Sequence, residues 1–193
     1  MKIGLTGSIA CGKSTVSHYL RAQGYPVVDA DAISHAMTAP GGPALPAIRE
    51  EFGGSVFHPD GTLDRRALGS VVFSSPVLRR QLNEILHPMI LAEIRSRLHT
   101  LDRDGHIVFG DIPLLFECGM EHMFDRIWVV SVPESIQLER LIERDHLSKD
   151  EALARIRAQM PASEKRRRAD AVIDSSGTLS ETRRQIDRLI ASI

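Results

Sequence analysis

The 193-residue chain has few cysteines and no long apolar segment. No apolar run approaches the roughly 20 residues of a membrane-spanning helix, so we expect no membrane partner. The two cysteines, Cys11 and Cys118, form no metal-like cluster with the scattered histidines, and we expect a reducing, cytoplasmic location. A strand predicted to begin at Lys2 leaves no room for a signal peptide. The net charge of −1 argues against a surface that coats nucleic acid.

Lysine is also scarce, since only four of the 24 basic residues are lysines. Arginine carries nearly all the other positive charge, and its planar guanidinium suits bidentate contacts to phosphate. One of the four lysines, Lys13, lies in the motif that organises the chain.

That motif is a full match to the phosphate-loop pattern G-x-x-x-x-G-K-[ST] at residues 7–14. An apolar stretch at 2–6 predicts a strand before it, and apolar residues at helical spacing predict a helix that ends near Gly24. Such a turn aims backbone N–H groups at phosphate oxygens, and the helix adds the positive end of its dipole. We therefore predict a nucleoside triphosphate site formed by Gly7, Ser8, Ile9, Ala10, Cys11, Gly12, Lys13, Ser14 and Thr15.

Three residues of this loop have specific expected roles. Lys13 would reach the β- and γ-phosphates, and the Ser14 hydroxyl would bind Mg²⁺. Cys11 lies at a helix N-terminus, where the pKa of a thiol can be lowered. The alternative is a chance glycine-rich turn, which the matching positions and flanks disfavour.

Acidic residues follow two predicted strands. Asp29 and Asp31 come after a strand at 26–29, and Asp111 ends an apolar strand that begins at Ile107. Ligands bind at this carboxyl edge of parallel sheets, where an acid can hold Mg²⁺. Because Asp also caps helices and forms turns, we assign Asp29 partly to capping, favour Asp31 for chemistry, and leave both interpretations open for Asp111.

The rest of the chain predicts alternating helices and strands. Residues 63–98 are mostly helical by periodicity, with His87-Pro88 as a kink or the first turn of a new helix. This helical insertion could hold an acceptor substrate, although simple packing explains most of its apolar positions. With strands at 125–132 and 171–174, we predict an α/β fold: a three-layer P-loop NTPase fold with a five-stranded parallel sheet, helices on both faces and the phosphate loop at its carboxyl edge.

Arginines mark a predicted helical hairpin after residue 134. Arg140 and Arg144 share one helical face, and the next helix carries Arg155 and Arg157. Inward-facing arginines would make a lid that closes over phosphates. A solvated hairpin with surface Glu–Arg pairs fits the pattern equally well. The basic run at 164–168 is more typical of a solvated helix face than of a binding patch.

Several segments of the chain match the sequence pattern of one known family in their order and spacing. They are 4–7 with 12–15, Asp29-Ala30-Asp31, 61–68, Leu86-His87-Pro88, Pro113-Leu114-Leu115-Phe116-Glu117, Gln137, Arg140, Arg144, Gln159, Glu164-Lys165, 169–170 and 172–174. Together they resemble the dephospho-CoA kinase family over essentially the whole chain. Many enzymes share a phosphate loop, but the Asp-Ala-Asp, His-Pro and Pro-Leu-Leu-Phe-Glu blocks are far more specific.

The resemblance implies transfer of the γ-phosphoryl group of ATP, with Mg²⁺, to the ribose 3′-hydroxyl of dephospho-CoA, the last step of coenzyme A biosynthesis. It implies a single domain with a core at 1–38, 105–139 and 166–193, a CoA-binding insertion at about 40–104 and a lid at about 140–165. We expect a monomer or small homo-oligomer.

The motifs and the resemblance together give the candidate site residues. They are Asp31, Lys13, Arg144 and Arg140 for catalysis, Arg144 and Arg157 for ATP, Ser14, Asp31 and Asp111 for the metal, and Asp31, Arg65, His87, Pro88, Leu114 and Glu117 for the acceptor.

Several positions depart from the family pattern, among them Cys11 in the phosphate loop. Ser8 and Ala10 stand where glycine is common, His146 where a small residue is common, and Ser175 where an asparagine often contacts adenine. Another small-molecule or nucleoside monophosphate kinase is the nearest alternative. A GTPase-like switch is disfavoured, because the only asparagine is Asn83 and no Asn-Lys-x-Asp motif exists.

Overall fold

A computed structural model of the protein describes residues 1–102 and 106–193. Five strands form one sheet in the order β2-β3-β1-β4-β5. The strands are β1 (Lys2–Gly7), β2 (Val27–Asp29), β3 (Val108–Asp111), β4 (Arg126–Ser131) and β5 (Ala171–Asp174). β1 runs parallel to β3 and β4, and β4 runs parallel to β5. The predicted α/β fold with a five-stranded sheet is confirmed.

Nine α-helices lie within the described residues. They are α1 (Lys13–Ala22), α2 (Ala30–Met37), α3 (Leu45–Phe52), α4 (Arg65–Ser74), α5 (Pro76–Leu101), α6 (Glu134–Asp145), α7 (Lys149–Arg157), α8 (Ala162–Arg168) and α9 (Leu179–Ala191). In the described part of the chain, no helix is long and apolar enough to cross a membrane.

The chain divides into two compact units, Met1–Val28 with Leu98–Ile193, and Asp29–Arg97. The assignment of an acceptor-binding insertion and a lid stays a prediction. In the first unit, the core contains Ile3, Leu5, Phe109 and Trp128, each at most 1 % exposed. Such continuous apolar runs are typical of parallel strands covered on both faces.

A glycine in β1 allows close packing in that unit. A Cβ on Gly4 would lie 2.6 Å from Leu115 Cδ1 and 3.0 Å from the Phe124 ring. A side chain at this position would therefore displace Leu115 and Phe124, and glycine lets both pack directly against β1.

The second unit contains α2, α3, α4 and most of α5. Asp29 is the N-cap of α2, and its carboxylate accepts a hydrogen bond from Ala32 N at 3.0 Å, so the predicted capping role is confirmed. Ser75 has extended backbone and separates α4 from α5.

Pro88 lies inside α5, so the alternative that it begins a new helix is wrong. Proline removes the hydrogen bond that residue 88 would donate to the Glu84 carbonyl.

Candidate active site

The phosphate loop joins β1 to α1 and leaves the start of the helix open. Gly12 is the N-cap of α1, with φ 84° and ψ 17°, and no described side chain caps this helix. The first N–H groups of a helix have no partner within it, and the helix dipole adds positive charge at the same place. The loop therefore presents N–H donors and positive potential suited to an anion.

Lys13 pairs with Asp111 in this site. The Lys13 ammonium contacts the Asp111 carboxylate, and their side chains are 16 % and 6 % exposed. Asp111 lies opposite Leu5 in the register of β3 and β1, so the sheet brings the acid to the loop lysine. Two charges that are nearly buried stabilise each other in this way, because either one alone would lose its bound water and gain nothing in return.

The prediction of a lowered pKa for Cys11 is wrong. The thiol is 2 % exposed, and burial raises its pKa above the ordinary value. The Lys13 backbone and charge act in the opposite direction but are the smaller effects. Burial disfavours the charged thiolate, and here it exceeds the influence of the helix terminus.

The arginines of α6 have different environments. Arg140 is half-buried, and its Nη2 donates to Ser175 O at 2.8 Å. Its Nη1 would lie 3.7 Å from a Cβ on Gly12, so the guanidinium lies beside the loop. Arg144 is exposed and binds Asp145 through Nε at 2.8 Å and Nη2 at 3.1 Å. Of this pair, Arg140 faces the loop in the present conformation.

A cavity of about 430 Å³ opens beside the loop. Its lining includes Ser8 of the loop, Gln137 of α6, and Arg157, Gln159 and Arg166. The predicted residues Ser8 and Arg157 therefore share one space, which a second guanidinium, Arg166, also lines.

The second unit has a cavity of its own, of about 410 Å³. The predicted residues Asp31 and Arg65 both line it, and Arg65 Nη2 donates to His35 O at 3.3 Å. The apolar part of the lining consists of Leu63, Leu68, Val72, Phe73, Leu82 and Leu86. A carboxylate, a guanidinium and an apolar wall suit a ligand that has both polar and apolar parts.

Two of the predicted acceptor residues, His87 and Pro88, are exposed on α5. They are not among the residues that line this cavity, although the preceding Leu86 is.

Glu117 is engaged within the protein. It pairs with Lys165 Nζ at 2.8 Å and accepts from Met160 N at 3.0 Å. Leu114, three residues earlier, is 42 % exposed. The loop after β3 therefore places one predicted acceptor residue at the surface and uses the other in an ion pair.

The prediction of a solvated face at 164–168 is wrong for Lys165. This lysine is 0 % exposed, and its ammonium contacts Glu117 and Pro113 O, the latter at 3.4 Å. A buried ammonium needs such partners, because burying an unpaired charge is very costly. Arg166, Arg167 and Arg168 are exposed, as predicted.

Sequence reasoning assigned no role to three residues that hold the loop backbone. Gln137 and Gln159 hydrogen-bond Ile9, and the Ser175 hydroxyl donates to Cys11 O. Ser175 stands where the resemblance implies an asparagine, and its hydroxyl is buried against the loop. Gln137 and Gln159 both lie in the segments that carry the resemblance to the family. An amide side chain at such a position was therefore the sequence signal that could have identified them.

The comparisons with known proteins agree with this geometry. A family model described as dephospho-CoA kinase matches residues 1–181. The dephospho-CoA kinase of Shouchella clausii is 48 % identical, over 96 % of this chain and 95 % of that protein. The dephospho-CoA kinase of Symbiobacterium thermophilum is 51 % identical, over 96 % of this chain and 78 % of that protein.

Solved structures give the same result. The structure of TT1252 from Thermus thermophilus has a TM-score of 0.82 and 38 % identity, covering 100 % of this chain and 97 % of that one. Dephospho-CoA kinase from Campylobacter jejuni has a TM-score of 0.79 and 29 % identity, covering 99 % and 96 %. A family model across nearly the whole sequence and relatives near half identity agree, and the chain belongs to the dephospho-CoA kinase family.

Proposed function

We propose that this chain transfers the γ-phosphoryl group of ATP to the ribose 3′-hydroxyl of dephospho-CoA and so produces coenzyme A. The observation that carries the proposal is the open phosphate loop, with Lys13 held by Asp111, in a chain of this family. Phosphoryl transfer needs positioning and charge neutralisation more than covalent chemistry from the protein. The loop supplies both.

On the donor side, the Lys13 ammonium exchanges Asp111 for the β- and γ-phosphate oxygens of ATP. The Ser14 hydroxyl and the Asp111 carboxylate are hard oxygen donors, which fit Mg²⁺, and these residues would hold it. The metal when bound would neutralise charge on the phosphate oxygens. No group of three or more His, Cys, Asp or Glu residues within 1–102 and 106–193 forms a metal site, which agrees with an ion held mainly by substrate and water.

Three arginines complete the donor side. Arg140, fixed by Ser175 O, would bind ATP in the resting conformation. Arg157 lines the cavity beside Ser8 and would contact phosphate there. Arg144 would leave Asp145 and reach the transferring group, since an exposed ion pair is weak and readily exchanged.

On the acceptor side, Asp31 would accept the proton of the 3′-hydroxyl or orient that hydroxyl. Arg65 lines the same cavity of the second unit and would bind an anionic group of the acceptor. His87, Pro88, Leu114 and Glu117 stay predicted acceptor contacts.

The test compares Asp31→Asn with wild type in a coupled assay of ADP release, using ATP, Mg²⁺ and dephospho-CoA. We expect kcat to fall roughly 10²- to 10⁴-fold, the usual contribution of a positioned acid or base, with ATP affinity unchanged. The matched control is Asp29→Asn, because asparagine caps a helix as well as aspartate does and activity should survive.

Near-normal kcat in Asp31→Asn at saturating Mg²⁺ would contradict the role of Asp31 as base. Recovery at high Mg²⁺ would instead assign this residue to the metal. Turnover of AMP in preference to dephospho-CoA by the wild-type enzyme would contradict the proposed function itself.

A further inference from the structure

Two glutamine side chains hold Ile9, at the tip of the phosphate loop. Gln137 Nε2 donates to Ile9 O at 2.7 Å, and Ile9 N donates to Gln159 Oε1 at 2.8 Å. Gln137 is 2 % exposed, so little water competes for its amide. The two bonds use one N–H and one C=O of the same residue, and hydrogen bonds at these distances are directional. They therefore fix both peptide planes that flank Ile9.

The two glutamines lie at opposite ends of the helical hairpin formed by α6 and α7. Gln137 is the fourth residue of α6, close to the end of β4. Gln159 follows Ala158, the C-cap of α7. The chain therefore leaves the sheet at Gln137, forms the hairpin, and returns at Gln159 to the same loop residue.

The returning segment is attached at its next residue as well. Met160 N donates to Glu117 Oε1 at 3.0 Å, and Glu117 pairs with the buried Lys165 at 2.8 Å. A continuous chain of contacts thus joins the phosphate loop, the end of α7 and the loop after β3. Such a set of packed and hydrogen-bonded groups can transmit a displacement of one member to the others.

The other side of the loop is also fixed. The Ser175 hydroxyl donates to Cys11 O, so the residues before and after Ala10 are both held by distant side chains. Ala10 itself has φ 58°, in the left-handed region that costs a non-glycine residue energy. Strained backbone persists where its surroundings over-determine it, and here the glutamines and Ser175 do so.

We propose that Gln159 is a positioning residue that acts through Ile9: it keeps the phosphate loop in its ATP-binding conformation and links that conformation to the α6–α7 hairpin. Its side-chain oxygen accepts the hydrogen bond of the Ile9 N–H. Gln137 lies near the end of β4, whereas Gln159 directly follows the C-cap of α7, so a displacement of α7 would act on Ile9 through Gln159. This proposal rests on the proposed function, since it concerns how the same ATP site is organised.

The experiment removes the acceptor and keeps the length of the side chain, in Gln159→Met. We expect the Kd for ATP, measured by calorimetry without acceptor, to rise roughly 3- to 10-fold, the effect of one net hydrogen bond. Exchange of the Ile9 amide proton, followed by NMR, should accelerate, while the KM for dephospho-CoA stays within about twofold. Gln159→Glu keeps an acceptor oxygen and should keep the Ile9 amide protected; its added charge alters ATP binding separately, so we judge it by exchange alone.

The control is Gln81→Met, because Gln81 Oε1 is buried and accepts no hydrogen bond from any residue that the structure describes. This substitution should leave ATP affinity and Ile9 exchange unchanged. Gln159→Asn, which withdraws the amide by one methylene, is the second deletion variant and should repeat the effects of Gln159→Met.

An unchanged Kd for ATP in Gln159→Met, or unchanged Ile9 exchange, would overturn the proposal. A lower unfolding temperature with unchanged ATP affinity would show a merely structural role and overturn it as well. Binding and exchange are measured without dephospho-CoA, so a wild-type enzyme that fails to turn over that acceptor refutes the proposed function and leaves this test intact.

Discussion

Two non-glycine residues of the described chain have positive φ, Ala10 at 58° and His146 at 54°. The resemblance to the dephospho-CoA kinase family predicts glycine or another small residue at both positions. In left-handed backbone, a Cβ lies too close to the following carbonyl oxygen, which costs about 1–2 kcal/mol. At Ala10 that cost lies in the phosphate loop, and at His146 it lies at the C-cap of α6.

Replacing His146 with glycine should raise the unfolding temperature. Glycine removes the strain, although its larger unfolded-state entropy offsets part of the gain, and a net of about 0.5–1 kcal/mol is expected. For a chain of this size that corresponds to about 1–4 °C by calorimetry or circular dichroism. The matched control is His18→Gly inside α1, which should lower the unfolding temperature, because glycine is unfavourable in a helix interior. A decrease for both variants would contradict the argument.

At the scale of the element, α6 places two arginines on one face and gives them different surroundings. The Arg140 guanidinium donates to the carbonyl of Ser175, which follows β5. Arg144 instead shares the Asp145 carboxylate with Arg155, whose Nη1 lies 2.8 Å from it. If Arg144 moves to a phosphate, Arg155 remains to neutralise Asp145. The tip of the hairpin can therefore release one arginine without leaving a charge unpaired.

This difference predicts that one alanine variant mainly changes the Kd for ATP and the other mainly changes kcat. Arg140→Ala should raise the Kd for ATP with a smaller change in kcat, because the Arg140 guanidinium already lies beside the phosphate loop in the resting conformation. Arg144→Ala should lower kcat more than it weakens ATP binding, if its proposed phosphate contact forms only in the transition state. Separate measurements of ATP binding and of kcat test both. Arg155→Ala serves as the control, and equal effects of Arg140→Ala and Arg144→Ala on kcat and Kd would contradict the distinction.

At the scale of the whole molecule, several surface carboxylates accept hydrogen bonds from backbone N–H groups, hydroxyl groups or a cation. Hydrogen bonds from Thr178 lower the pKa of Glu181 in the capping box of α9, and hydrogen bonds from Ser148 lower that of Glu151 in α7. A hydrogen bond from the N-terminal ammonium lowers the pKa of Asp102. Each group favours its charged form in the folded state.

Stability should therefore fall in acid. A carboxylate whose pKa is lower in the folded than in the unfolded state contributes stability that is present above the unfolded pKa, about 4, and is lost as the pH falls through the folded pKa. We expect the unfolding temperature to decrease steadily from about pH 4.5 downward. Glu181→Gln keeps the capping box but cannot titrate, so it should show a smaller decrease. An unfolding temperature that is constant from pH 7 to pH 3 would contradict this prediction.

Short-range patterns in the sequence predicted much of this protein. The phosphate loop at 7–14, the strands, the five-stranded sheet and the cap at Asp29 all follow from turn chemistry and hydrophobic periodicity, which act over a few residues. The segments that resemble dephospho-CoA kinases indicate the family by themselves, because their order and spacing are specific.

Only the tertiary structure decided which side chains surround that loop. Gln137 and Gln159 reach Ile9 across 128 and 150 residues of sequence, and Lys165 is buried against Glu117 although its neighbours suggest a solvated face. The burial that raises the pKa of Cys11 depends in the same way on elements far along the chain. Local patterns contain the backbone preferences of each segment, whereas burial and partner choice arise when distant segments pack, and no short window of sequence contains that information.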